Sequence, residues 1–293
     1  MTESLGGAQV PHPTGRAATR VRGGRGLSLA VGAVLVGAVL LTALVSFAWT
    51  PHDPLLVDAA VRLRGPGAQY WFGTDKFGRD LASQLMVGAR TTLFVGFVAV
   101  GVAAVLGTPL GVLAAMSRGW VGELVMRAND LVLAFPALLL AIMFGAVFGS
   151  STGTAMIAIG IATVPAFARI ARGAALSVLG SEYVLAARAA GRGRVAIAVR
   201  HVLPNIAGLL IVQASVSFAI AVLAEAALSF LGFGTRPPTP SWGRMLQESQ
   251  ELLAVAPRLA LVPGLAIALA VLGFNLLGDG LRDRFDPRLE RRR

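Results

Sequence analysis

Six stretches of the chain are almost free of charge: 27–49, 91–116, 131–148, 155–168, 206–233 and 259–277, with Glu225 the single exception. As helices, runs of roughly 17 to 25 apolar residues span the hydrocarbon core of a bilayer, and none of the six shows the strict alternation of a half-buried strand. Five are long enough. The fourth has 14 residues and contains Pro165, so apolar length alone leaves it undecided between a crossing and a surface segment. Pro136 and Pro165 are expected to kink their helices.

Charge decides the fourth run. Arg16, Arg20, Arg22 and Arg25 precede the first stretch, which places the amino terminus in the cytoplasm by the positive-inside rule. If all six runs cross, Arg118, Arg127, the six arginines from Arg169 to Arg200 and the basic tail face the same side, 18 of the 26 basic residues. Five crossings would put the Arg188 cluster outside. The expected fold is therefore an all-α integral membrane protein with six transmembrane helices and both termini cytoplasmic, Arg169 and Arg172 snorkelling at the end of the fourth.

The expected organisation follows. Residues 1–26 form a disordered basic tail, 27–49 the first crossing, 50–87 an external segment, 88–278 a transmembrane domain with a cytoplasmic elbow at 181–205, and 279–293 a second basic tail. The first run exceeds the core of a cleavable signal and reads as an anchor. A second external segment, near 234–258, carries RPPTPSW, whose prolines stiffen a turn.

Composition narrows the chemistry. Only 14% of the 293 residues are charged and the mean hydropathy is +0.72, against roughly a quarter charged in soluble domains. The net charge of +11 is accounted for by arginines beside apolar runs, not by a nucleic-acid surface. There is no cysteine, so disulfides and thiolate sites are excluded. Lys76, the only lysine, is followed by Phe77, so no Walker A sequence exists in this chain. No HExxH occurs, no His lies inside an apolar run to serve a serine nucleophile, and no converging ligands suggest a metal.

The elbow SEYVLAARAAGRGRVAIAVRHVLPN (181–205) is too charged for lipid and too apolar for a solvated loop. Gly180 ends the preceding helix, Ser181 caps a new one, and Glu182 sits in its first turn, where the helix dipole favours an anion. Gly191 suits a left-handed stop. A second short helix over 195–202 follows, with Pro204 turning the chain into the fifth crossing. Ala186, Ala187, Ala189 and Ala190 offer a surface that another protein can approach closely, and Arg188, Arg192 and Arg194 can bind carboxylates. The same features also suit a helix lying on anionic headgroups.

Ala186-Ala187, Gly191 four residues on, and His201-x-Leu203-Pro204 resemble the EAA loop of ABC importer permeases. Four more segments are similar to the dipeptide, oligopeptide and nickel branch of that family, and more narrowly to its second, C-type permease subunit. They are FGTDKFGRD (72–80), GWVGELVMRANDLVLAFPALLLA (119–141), AEAALSFLGFGTRPPTPSWGRML (224–246) and FNLLGDGLRD (274–283). The resemblance implies a type I importer permease in the bacterial cytoplasmic membrane, importing small peptides or related solutes such as nickel. It implies a second permease subunit, two ATPase subunits that bind ATP and Mg2+, an extracytoplasmic binding protein, and no cofactor in this chain. The ATPase-coupling residues would be Glu182, Leu185, Ala186, Ala187, Arg188, Gly191, His201, Leu203 and Pro204. One departure stands out: Leu185 occupies the position of the family's Glu.

Two groups keep open readings. Asp75, Arg79 and Asp80 form either a solvated ion-paired turn or an external gate and binding-protein contact. Gln213, Ser217 and Glu225 fall within one arc of the fifth crossing, either lining the translocation path or, for Glu225, bonding between helices or to Arg236. The competing function is a secondary transporter, which would need several acidic groups at mid-membrane depth.

Overall fold

The computed structural model describes residues 24–117 and 119–285. The two basic tails therefore lie almost wholly outside the described residues. Ten α-helices follow in order: α1 Gly24–Ala48, α2 Leu81–Met116, α3 Trp120–Ala134, α4 Ala137–Phe148, α5 Thr152–Leu179, α6 Glu182–Ala189, α7 Arg194–Ile197, α8 Leu203–Phe230, α9 Trp242–Ser249 and α10 Arg258–Phe285. Among the described residues the only β pairing is an isolated bridge between Thr74 and Asp80.

α1, α2, α5, α8 and α10 are each long and apolar enough to cross a bilayer. The third run is not one straight helix. It is divided into α3 and α4, which meet at 83°, because Pro136 forces Phe135 into an extended conformation (φ −91°, ψ 130°). The pair nevertheless runs from one end of the bundle to the other. Gly122 of α3 rests on Ala114 near the end of α2, while Gly145 of α4 lies beside Phe233 beyond the end of α8. Six passages result.

The fourth passage is twice the length that its apolar letters predicted. α5 covers 28 residues and continues through Pro165. Its extension past residue 168 buries Ala171, Ala175 and Leu179, and Arg169 there donates to Asp130 of α3 at 2.5 Å. Asp130 sits inside α3 and pairs with α5. α10 likewise carries on through residues expected in the tail, as far as Phe285, and α2 begins ten residues before the apolar run does.

Small residues set the helix spacing. A Cβ on Gly111 of α2 would lie 2.3 Å from the Ala168 carbonyl oxygen of α5, so those two backbones approach as closely as side chains permit. Three apolar clusters fill the bundle. One joins α1, α2, α5, α8, α9 and α10 around Phe218 and Phe274, whose rings stack at 4.1 Å. A second joins α2, α4, α5 and α8. The third closes the end where α6 lies.

Candidate functional site

At the α6 end, the chain leaves α5 at Gly180 and makes α6 at once. Ser181 precedes α6, but its hydroxyl donates back to the Val178 carbonyl of α5 at 2.6 Å and does not cap the new helix. α6 stops as its local chemistry requires. Gly191 adopts φ +81°, its amide donates to the Arg188 carbonyl at 2.9 Å, and the Arg192 amide reaches the Ala187 carbonyl at 3.1 Å. This is the paired-bond helix stop that favours glycine.

One side chain anchors α6. Val184 is fully buried among Val112, Ala171, Ala175, Leu179, Val202 and Ile206. Glu182, Ala186 and Arg188 are exposed, Ala187 is half-buried, and Leu185 is 51% exposed. The position where the family carries Glu therefore presents an apolar side chain outward. His201 is half-buried with its ring 6.1 Å from that of Tyr183, joining the start of the next helix to α6. Leu203 is half-buried and Pro204 exposed.

The expected second short helix is not separate. Arg194–Phe230 runs as one helical segment of 37 residues, and Pro204 does not redirect it. A π-helical turn over Ala198–Val202 intervenes, in which the Leu203 amide bonds to the Ala198 carbonyl five residues back. The wider turn accommodates a proline ring that would otherwise crowd the carbonyl four residues before it. α6 is thereby tied to a continuous lever that traverses the bundle.

At the other end, GTDKFGRD is not a solvated turn. Asp75, Arg79 and Asp80 are all buried. Asp80 caps α2, accepting from the Ser83 amide at 3.0 Å and the Ser83 hydroxyl at 2.6 Å. Arg79 donates to Asp75 at 2.6 Å and to Glu248 of α9. Arg244 holds the same Glu248 at 2.7 Å, and Gln84 reaches Asp75 at 3.1 Å. This network fastens the 49–80 segment to α9, a helix that sequence reasoning read as loop. The signal was there: Ser241 caps α9 by accepting from the Arg244 amide at 3.3 Å.

Gln213 donates to Ser217 at 2.9 Å on α8. Glu225, fully buried, accepts from Ser229 at 2.7 Å and from Thr92 of α2 at 3.4 Å. Its partners are hydroxyls of α8 and α2 together with Thr235 and Ser241 of the stretch leading into α9, while Arg236 is exposed. Ser229 in turn accepts from the Thr235 amide at 3.1 Å, extending the chain of bonds into the loop before α9.

Comparison with known proteins agrees with this architecture. Residues 107–291 match the family described as binding-protein-dependent transport system inner membrane component. A dipeptide transport system permease protein of Alkalihalophilus pseudofirmus is 43% identical over 260 residues, covering 89% of this chain and 86% of that one. A glutathione transport system permease protein of Pectobacterium atrosepticum is 42% identical over 226 residues, covering 77% and 75%. In fold, the chain is similar to an inward-facing MetNI methionine ABC transporter (TM-score 0.59, 18% identity, 69% of this chain and 96% of that one). With six passages, a glycine-stopped helix at one end and homology over most of its length, this chain belongs to the inner-membrane permease components of binding-protein-dependent ABC importers.

Proposed function

We propose that this permease carries small peptides inward and that α6 is the element on which a cytoplasmic ATPase acts. The observation that carries the proposal is mechanical. α6 projects from the bundle on one buried side chain, Val184, and is joined across the Gly191 turn to a 37-residue helix that crosses the whole molecule. A groove on an ATPase subunit that moves α6 would tilt that helix. Leu185 then meets the groove by apolar contact, and Glu182 supplies charge at the first turn of α6.

The arginine-bearing α6 end is cytoplasmic in this reading, with both termini on that side. Two partner subunits bind ATP with Mg2+ and hydrolyse the ATP, and a second permease subunit completes the path. The opposite end, fastened by Arg79, Asp75 and Glu248, forms a platform for an extracytoplasmic binding protein. Relatives whose names specify dipeptide and glutathione transport support a peptide-bonded solute. An ion-gradient mechanism loses its support, since Glu225 is the one acidic group in the apolar runs and is sealed within the bundle.

The test is Gly191→Val combined with Ala187→Glu in proteoliposomes holding the full importer. A β-branched residue at φ +81° is strained by about 1–2 kcal/mol, and the carboxylate disturbs the docking face. Peptide uptake is expected to fall while membrane insertion is retained; unchanged uptake overturns the assignment. Cysteine at Gly193, introduced into a chain with no native cysteine, should label from the cytoplasmic side alone.

A further inference from the structure

Two cavities meet at the α6 end. One, of about 310 Å3, is lined by Met116, Arg188, Arg192, Arg194 and Ile197. The other, of about 350 Å3, runs between the end of α2 and the α7–α8 segment and is walled mainly by apolar side chains, among them Pro109, Leu113, Val195 and Leu203. They share Met116 and Arg194, so a strongly basic pocket opens onto an apolar groove. No carboxylate lines either one. Arg194 spends one donor on the Met116 carbonyl at the end of α2, which fixes its guanidinium at the junction.

This arrangement lies where the apolar length of α2 ends. Val195 is 77% exposed and Leu113 is more than half exposed, although Arg194 lines the same groove and Arg188 and Arg192 line the cavity it opens onto. Such a pairing of an apolar trough with clustered arginines matches an amphiphile with a negative head. Basic pockets between helices on the cytoplasmic side take up anionic lipid headgroups by charge, at a gain that adds with each arginine.

We propose that the two cavities form one site for an anionic phospholipid, its phosphate held by Arg188, Arg192 and Arg194 and an acyl chain laid along Leu113, Val195 and Leu203. The bound lipid would brace the Gly191 turn against α2, beside the helix through which the ATPase acts. The inference rests on the membrane fold and not on the identity of the transported solute.

The full-length chain in neutral detergent would be mixed with phosphatidylglycerol and phosphatidylcholine of matched acyl chains, and retained lipid counted by native mass spectrometry. Wild-type protein is expected to prefer phosphatidylglycerol by about tenfold or more. Replacing Arg188, Arg192 and Arg194 together by Gln should abolish that preference. Leu113→Trp, which fills the groove and leaves the arginines intact, should reduce retention on its own. Equal retention of the two lipids by the wild type overturns the proposal, as does a preference surviving the triple substitution. An unchanged Leu113→Trp variant, or displacement by millimolar inorganic phosphate, reduces the site to a simple anion pocket and also overturns it. The readout needs neither ATPase nor transport, so its failure is distinguishable from failure of the coupling assignment.

Discussion

The two ends of this permease spend their charges differently. At the α9 end, Arg79, Asp75, Glu248 and Arg244 are packed into a network whose side chains are each less than a fifth exposed. At the α6 end, Arg188, Arg192 and Arg194 are exposed around a cavity that no carboxylate enters. Buried, mutually satisfied charges hold two segments in one geometry, whereas exposed unmatched ones are available to a partner. One end is built to keep its shape, and the other leaves its charges free for a partner.

The largest effect that would test this contrast comes from Arg79→Ala. It leaves Asp75 buried without its cation while Glu248 keeps Arg244, a loss of about 3 kcal/mol, read as a lowered unfolding midpoint in detergent. A change of less than about 1 kcal/mol would show that the network is solvated, and the contrast would fail. Gly243→Ala comes next. A Cβ there would lie 2.3 Å from the Ala226 carbonyl oxygen of α8, so α9 must lift away at a cost of about 1–3 kcal/mol. Faster proteolysis of the 234–257 segment would report it.

At the opposite end, Val184→Ala removes buried methyl groups worth about 1–2 kcal/mol. Here the expected loss is local: cleavage within α6 rises while the unfolding of the bundle changes little. A matching drop in global stability would show that α6 is part of the rigid core. Glu225→Gln sharpens the comparison further: the amide keeps one acceptor oxygen and replaces the other by an NH2 donor, which a Thr92 or Ser229 hydroxyl oxygen can accept. Uptake of cationic and neutral peptides should remain in the same ratio, and selective loss of the cationic ones would make Glu225 a path residue. The smallest effect belongs to Arg127→Ala, whose exposed pairing with Glu123 one turn away should leave stability unmoved.

What was legible follows the range of the interactions. The α6 stop could be placed because Gly180 and Gly191 act on their own neighbours. The break at Pro136 is equally local, since a proline restricts the residue before it. The true length of α5 was not legible from apolar letters, because residues 169–179 include arginines and the stretch is held by Ala171, Ala175 and Leu179 packing against Val112 of α2 and against Val184, Val202 and Ile206. The burial of GTDKFGRD was hidden for the same reason. Arg79 meets Glu248 across 169 positions of sequence, and no window along the chain contains both.

The sequence by itself determined that this protein lives in a membrane, how many times it crosses, and where the basic elbow lies, because hydrophobic length and charge bias act segment by segment. Only the tertiary structure decided that the elbow is one anchored helix joined to a continuous lever. It alone placed Glu225 among hydroxyls, and it alone turned a glycine-rich turn into a buried clasp. Those outcomes depend on which helices come within a few ångströms of each other, and that follows from packing between residues far apart in the chain.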